Sequence, residues 1–373
     1  MSQNVPWLII RCMFKDEGTL SEPHPLNYYT ALFTAPDIEN VVTFWQDMSF
    51  GQLDFTGSEV TPWLVLEKNR SEYTGSGANQ QGRLDLVDWA KQAATKFGAD
   101  LSRFSGVVVA TYRDTDLFGS AARHAVCGPN NVLSEMLQEV GHGLGLTNHS
   151  RSVANPVDYE DPFCIMSGMR FGGQDHTFSD RFGSSGPGLC APYIFIGGWL
   201  SESRIARVPT NGRSPNPTVL TLSPLSERQP SQKQVAIIQL NTPQEVTFFV
   251  EYRFGGWDRG MVQAAVVVHQ LRPDGFAYYA GSIATTTGVD GAGKTLLPGR
   301  DYLDTQYNLS VRVLSNFPED RVQIRIAPAA AVQTLSVREV ARLTLGLTAG
   351  FSVRNQVLSG TSSLRERLVQ LLS

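Results

Sequence analysis

Three side chains in one short stretch have the types and spacing to hold a divalent ion, and a fourth could act as a base beside it. In Leu137-Gln138-Glu139-Val140-Gly141-His142-Gly143-Leu144-Gly145-Leu146-Thr147-Asn148-His149-Ser150, Gln138 and His142 stand four residues apart. On a helix that spacing puts both on one face, where they can aim at the same ion. Glu139, beside the pair, can serve as a general base on a water that the ion acidifies. Gly145 accepts a left-handed backbone, which ends a helix and turns the chain. That turn can return His149 as a third ligand. Imidazole suits zinc, and the neutral carbonyl oxygen of Gln138 is a weaker donor to it. A plainer reading also exists. Leu133, Met136, Leu137, Val140 and Leu144 recur at helical spacing, so the helix can simply face a core with His142 as an interior histidine. For a bare E-x-x-H the plainer reading has the advantage, because so short a motif recurs by chance.

The surroundings shift that balance. Asp158-Tyr159-Glu160-Asp161-Pro162-Phe163-Cys164-Ile165-Met166-Ser167-Gly168 follows the helix. Further on come Gly197-Gly198-Trp199-Leu200, then Phe249-Val250-Glu251-Tyr252-Arg253-Phe254-Gly255-Gly256-Trp257-Asp258-Arg259-Gly260, then Ala265-Val266-Val267-Val268-His269. In this order the blocks resemble the metzincin zinc peptidases, and among them the gametolysin and immune inhibitor A families. The long motif H-E-x-x-H-x-x-G-x-x-H is matched except that Gln138 replaces the first His and one extra residue precedes His149. The gametolysin group includes such Q-E-x-x-H members. The resemblance runs from about Val5 to Pro328.

The resemblance implies an α/β metzincin-like catalytic domain, with a twisted mixed sheet, an active-site helix and a methionine turn. It implies zinc held by Gln138, His142 and His149, with Glu139 as the general base of a metalloendopeptidase. Met166 would pack beneath the ion without binding it, and the substrate would be a protein or peptide. The alternative is a non-catalytic protein- or glycan-binding module on a decayed peptidase fold, motivated by Gln138 and the displaced His149.

The elements that must position these residues alternate. Residues 5–14 read as a strand. Asp37 is placed to cap a helix carrying Ile38, Val41, Val42, Trp45 and Met48, which Gly51 ends. Leu53 to Gly57 alternates as a strand does. Leu84 to Phe97 predicts a helix with Leu84, Val87, Ala90, Ala94 and Phe97 on one side, stopped by Gly98. Phe104 to Thr111 is a continuous apolar run, the pattern of a central strand covered on both faces. Together these predict the α/β domain over 1–203, with an irregular segment at 150–196 wrapping the cleft. From 204 to 330 short alternating runs predict a β-sandwich-like domain: Thr218 to Leu222, Val235 to Leu240, Leu309 to Leu314 and Val322 to Ile326. A helical C-terminal extension is expected over 331–373, where Ser336 with Glu339 and Ser363 with Glu366 have capping-box form.

Composition narrows the partners. The 373 residues are 42% hydrophobic and 18% charged, enough apolar surface for real cores and too little charge for a disordered chain. Net charge is −4, with no basic run, which argues against nucleic acid as a partner. No stretch reaches the roughly 20 apolar residues of a membrane span. The apolar start lacks a basic region and a small-residue cleavage site, so it reads as a strand rather than a signal peptide, although the resembling families are mostly secreted.

Cys12 reads as a small buried hydrophobe, and Cys164 and Cys190 are placed to staple the loop after Met166. Glu251, Arg253 and Asp258 fit an ion-pair network better than a calcium site. His269 reads as structural. His124 reads as a rim residue, and His176 as a residue able to contact substrate or metal, though each of these is more often a satisfied core or surface group. Gly291-Ala292-Gly293-Lys294-Thr295 lacks phosphate-loop spacing and reads as a turn.

Overall fold

The apolar runs Trp7–Met13 and Gly106–Thr111 lie side by side, parallel, inside a six-stranded mixed sheet. Glu59–Val60 and Leu64–Val65 pair parallel with Trp7–Met13 on its other side. His124–Cys127 adds parallel to Gly106–Thr111, and Phe118–Ser120 closes the sheet as an antiparallel edge. Alternate side chains of a strand point to opposite faces. Leu8, Ile10, Cys12, Val107 and Val109 therefore pack with Leu86, Val87, Ala90 and Ala94 of one helix. Trp7, Ile9, Val108 and Ala110 pack with Leu133, Met136, Leu137 and Val140 of another. Both strands read as unbroken apolar runs because both faces are covered.

The structure is a computed structural model describing residues 2–18, 21–75, 79–167, 176–261, 264–284, 288–289, 295–296, 301–316 and 320–329. The helices expected over 331–373 and the turn residues 291–294 lie outside them. The helices are α1 (Leu26–Phe33), α2 (Val41–Met48), α3 (Gln80–Phe97), α4 (Leu133–Gly143) and α5 (Ala191–Ile196). No described helix is long and apolar enough to cross a membrane.

Several sequence expectations need correction. Asn40, not Asp37, caps α2, its side chain accepting from Thr43 N–H. Glu39 is left-handed at φ 58°, so the chain turns immediately before the helix and leaves Ile38 77% exposed. Phe97 is also exposed, being the last residue before the left-handed Gly98, and Leu86 fills the buried face instead. Of Leu53 to Gly57 only Leu53–Asp54 pairs, because Gly57 turns the chain at φ 94°. Helix α1, behind Pro25, was not expected.

Beyond residue 204 two sheets face each other. One has six strands, with Ile205–Arg207, Val235–Gln239, Thr247–Arg253, Ala265–Leu271 and Ala277–Ala284 in that order, ending on Arg151–Ser152. The other has four, Thr218–Leu222, Val322–Ala327, Leu309–Asn316 and Tyr302–Asp304. Ala236, Ile238, Phe248, Val250, Val266, Ile324 and Ile326 fill the space between them. Side-chain alternation sends Val235, Ile237 and Phe249 the other way, into the core that holds α2 and α4. Residues 1–328 consequently form one compact unit, and the boundary expected at 203/204 falls inside a shared core. The chain from Ala329 belongs to a second unit.

On that same face the six-stranded sheet carries buried charge. His269 Nε2 lies 3.0 Å from Asp161 Oδ2, and its Nδ1 lies 3.3 Å from Glu251 Oε1. Arg253 donates to Glu251 at 3.0 Å and grips Asp258 with two nitrogens. Asp258 accepts from Gly188 N–H, and Glu251 accepts from Ala191 N–H at 2.6 Å. All five side chains are buried, and each charge has an opposite partner, as burial demands. Glu251, Arg253 and Asp258 thus form an ion-pair network, and their carboxylates are taken by Arg253, His269 and backbone amides. Burial alone would lower the His269 pKa; Asp161 and Glu251 overcome it and raise it to about 10.

A raised histidine pKa stabilises the fold fully below the unfolded value of about 6.5 and ceases to do so above the folded value. Unfolding free energy is therefore expected to fall as pH rises from 6.5 toward about 10. His269→Gln is expected to cost about 3–5 kcal/mol at neutral pH by leaving the buried Asp161 carboxylate without an opposite charge and to remove that alkaline slope. Urea titrations across the pH range check both.

Candidate metal centre

Helix α4 starts where the Glu135 carboxylate accepts from Val132 N–H at 3.1 Å and from the Asn131 amide at 2.7 Å. It is buried along almost its whole length. Its end is set by Gly145 at φ 103°, with Leu146 N–H returning to Gly141 O at 3.0 Å. A Cβ at Gly145 would meet nothing, so the glycine is required by its backbone angle rather than by space.

The bend after Gly145 brings the two imidazoles together: His142 Nε2 and His149 Nε2 stand 3.1 Å apart. The residue inserted before His149 is absorbed in the loop, where Leu146 is buried and Thr147 exposed. Each ring is fixed from behind. His142 Nδ1 lies 2.7 Å from Leu146 O, a carbonyl that can only accept, so Nδ1 carries the proton and Nε2 the lone pair. His149 Nδ1 lies 3.3 Å from Asp158 Oδ2, and Asp158 is itself held by Arg151 at 2.7 Å. Two lone pairs then face each other across the gap. This is the arrangement of metal-ligating histidines whose other nitrogen donates to a carbonyl or carboxylate.

The backbone that carries His149 is fastened to the methionine turn. Ser150 N–H donates to Met166 O at 3.1 Å, Tyr159 N–H donates to Ser150 O, and Tyr193 Oη donates to His149 O. Met166 lies fully buried under α4 at Gly141, where a Cβ would come within 2.7 Å of its sulfur. The methionine thus packs directly against the helix that carries His142.

Gln138 is buried, and among the described residues its Oε1 has no hydrogen-bond partner. Its Nε2 donates to Glu139 Oε1 at 3.4 Å, and its side chain lies beside the Tyr159 hydroxyl. Tyr159, which the sequence reading passed over, places its hydroxyl 2.9 Å from His149 Nε2. Its backbone is left-handed at φ 69°, a costly conformation for an aromatic residue and one that clusters at functional sites. Asp158 was passed over too. Both sat in view beside Met166, but their contacts are tertiary and left no periodic signal.

Glu139 is wedged between α4 and the edge strand Phe118–Ser120. A Cβ at Gly119 would meet Glu139 O at 2.3 Å and its Oε2 at 2.8 Å, so only glycine admits the carboxylate there. Burial, against the Gln138 hydrogen bond, pushes the Glu139 pKa up to about 8. Burial and then the neighbouring His149 push His142 down to about 4. Burial also lowers His149, with Asp158 opposing. Both imidazoles are therefore neutral at pH 7, the form that binds metal.

The remaining histidines lie elsewhere. His124 is buried in its strand against Phe118 rather than at a rim, because its strand is sandwiched between two others. His176 stacks on Phe163, and His24 on Tyr28. Asp161, Cys164 and Cys190 form a second buried group beside the methionine turn, with ligand atoms within 4.8 Å of one another. No protein-family model, curated protein or solved structure matches the chain.

The spacing of the two imidazole nitrogens is compatible with zinc. Tetrahedral zinc with bonds of about 2.0–2.1 Å to nitrogen separates two nitrogens by roughly 3.3 Å, close to the 3.1 Å found. The Tyr159 hydroxyl is a further donor atom beside His149 Nε2, and the Gln138 side chain lies beside that hydroxyl. Asp158→Asn is expected to weaken zinc affinity by about 10–100-fold, the usual effect of losing a carboxylate behind a ligating histidine. Competition titration against a chromophoric chelator checks this, with circular dichroism showing the fold intact.

Proposed function

We propose that the chain is a zinc-dependent endopeptidase of metzincin type. The observation that carries the reading is the pair of Nε2 lone pairs facing each other at 3.1 Å, with Glu139 on the adjoining helix position. His142 and His149 would hold the ion, with Gln138 Oε1 as the weaker third donor. When bound, zinc supplies a Lewis acid and lowers the pKa of water toward neutrality.

The protein's own residues do the rest. Glu139, in its ionised form, takes the proton of the attacking water and returns it to the leaving amine nitrogen. Its position is held by the Gln138 amide on one oxygen and by Gly119 against the other. Among the described residues Phe118–Ser120 pairs only with His124–Cys127, so no strand pairs with its other edge. An extended peptide can add to such an edge through main-chain hydrogen bonds. This would lay a scissile carbonyl alongside Glu139 and exclude water by burial.

One observation favours the second reading, a non-catalytic binding module. The Tyr159 hydroxyl, 2.9 Å from His149 Nε2, can donate to the lone pair and so satisfy it without metal. Metal analysis and turnover separate the two. Glu139→Gln is expected to keep zinc and lose at least about 100-fold in peptide hydrolysis, the lower range for a general base. His142→Ala is expected to lose both, and Gln138→His to bind zinc more tightly. Turnover retained in pure Glu139→Gln protein contradicts the assigned base. A wild-type chain that binds no zinc and cleaves no peptide supports the binding module.

A further inference from the structure

Cys164 and Cys190 are fully buried free thiols whose sulfurs lie within 4.8 Å of each other. Their segments are already tied together, since Ile165 N–H donates to Gly188 O at 3.0 Å. The chain neighbours Ile165, Met166, Leu189 and Ala191 are apolar and fully buried. Asp161, the third member of this group, is not free to complete a metal site. Its Oδ2 accepts from Ser150 Oγ at 2.6 Å and from His269 at 3.0 Å, and its Oδ1 accepts from Phe163 N–H at 2.9 Å. Its charge is balanced by His269. What remains is two sulfurs within 4.8 Å of each other, beside a carboxylate that already has its partners.

We propose that Cys164 and Cys190 close into a disulfide when the chain folds in the presence of a low-molecular-weight disulfide. One thiolate attacks that oxidant, forming a mixed disulfide and releasing one thiolate. The second cysteine then attacks the mixed disulfide and releases the other. The chain loses two protons and two electrons, and the oxidant is reduced to two thiols. The other cysteines cannot substitute. Cys12 and Cys127 sit on strands separated by Gly106–Thr111, and they belong to the cores on opposite faces of the sheet. The bond would join the methionine turn, the floor beneath His142, to the start of α5, whose Tyr193 holds His149 O. It would also close the irregular loop between them, and shortening the unfolded chain's freedom in this way stabilises the fold. The proposal goes beyond the hydrolytic reading and does not depend on it.

The test counts thiols in denaturant on the full chain, folded with oxidised glutathione and stripped of metal by chelator. Two of the four thiols are expected to disappear, with a mass lower by two hydrogens and the peptides containing Cys164 and Cys190 cross-linked. The thermal midpoint is expected to rise on oxidation and fall back with reductant. Cys190→Ser is expected to keep three thiols under both conditions. Four titratable thiols in the oxidised wild type, or a cross-link through Cys12 or Cys127, overturn the proposal. So does a stoichiometric zinc ion on the reduced protein that His142→Ala retains and Cys190→Ser loses, since the trio would then be a metal site.

Discussion

Two imidazole nitrogens 3.1 Å apart, each with its proton held on the far side of its ring, are the constraint around which this structure is built. Lone pairs at that distance repel unless a cation or a proton lies between them. A proton is disfavoured on His142, because burial makes its charged form costly and its Nδ1 must face a carbonyl. A divalent ion of the kind proposed would satisfy both rings at once. The same region holds a left-handed tyrosine and a carboxyl group whose pKa burial raises to about 8. Strain and perturbed titration together mark functional sites more reliably than either does alone.

The geometry is held from below by a polar anchor and not by packing alone. Asp161 receives Ser150, next to His149, on one side and His269 from the six-stranded sheet on the other. Glu251 and Asp258 extend the anchor to the backbone at Ala191 and Gly188, just ahead of and within the first turn of α5. The sheet beyond residue 204 is thus the base on which the bend after Gly145 rests. Its alternation explains how one strand does two jobs. Phe248, Val250 and Tyr252 fill the sandwich, while Phe249, Glu251 and Arg253 face the histidine-bearing part of the chain.

Much of this was legible in the sequence because periodic burial leaves a periodic trace. The spacing Gln138 to His142, the stop at Gly145, the two-faced run at Gly106–Thr111 and the strands from Thr218 onward all follow from local rules. The ion-pair reading of Glu251, Arg253 and Asp258 followed from their closeness along one strand and its turn. What could not be read was tertiary. His269 and Asp161 are 108 residues apart, and Asp158 and Tyr159 act only because the chain folds back from Ser150. The cap of α2 was misplaced by three residues because Asp37 and Asn40 are both good caps, and only the left-handed Glu39 decides between them.

The central claim is most directly tested by heteronuclear NMR of the imidazole nitrogens of His142 and His149 during zinc titration. The account predicts that in both rings Nδ1 is protonated before zinc is added, and that both Nε2 signals shift together and saturate at one zinc per chain. A proton found on either Nε2, with neither ring responding to zinc, would contradict it.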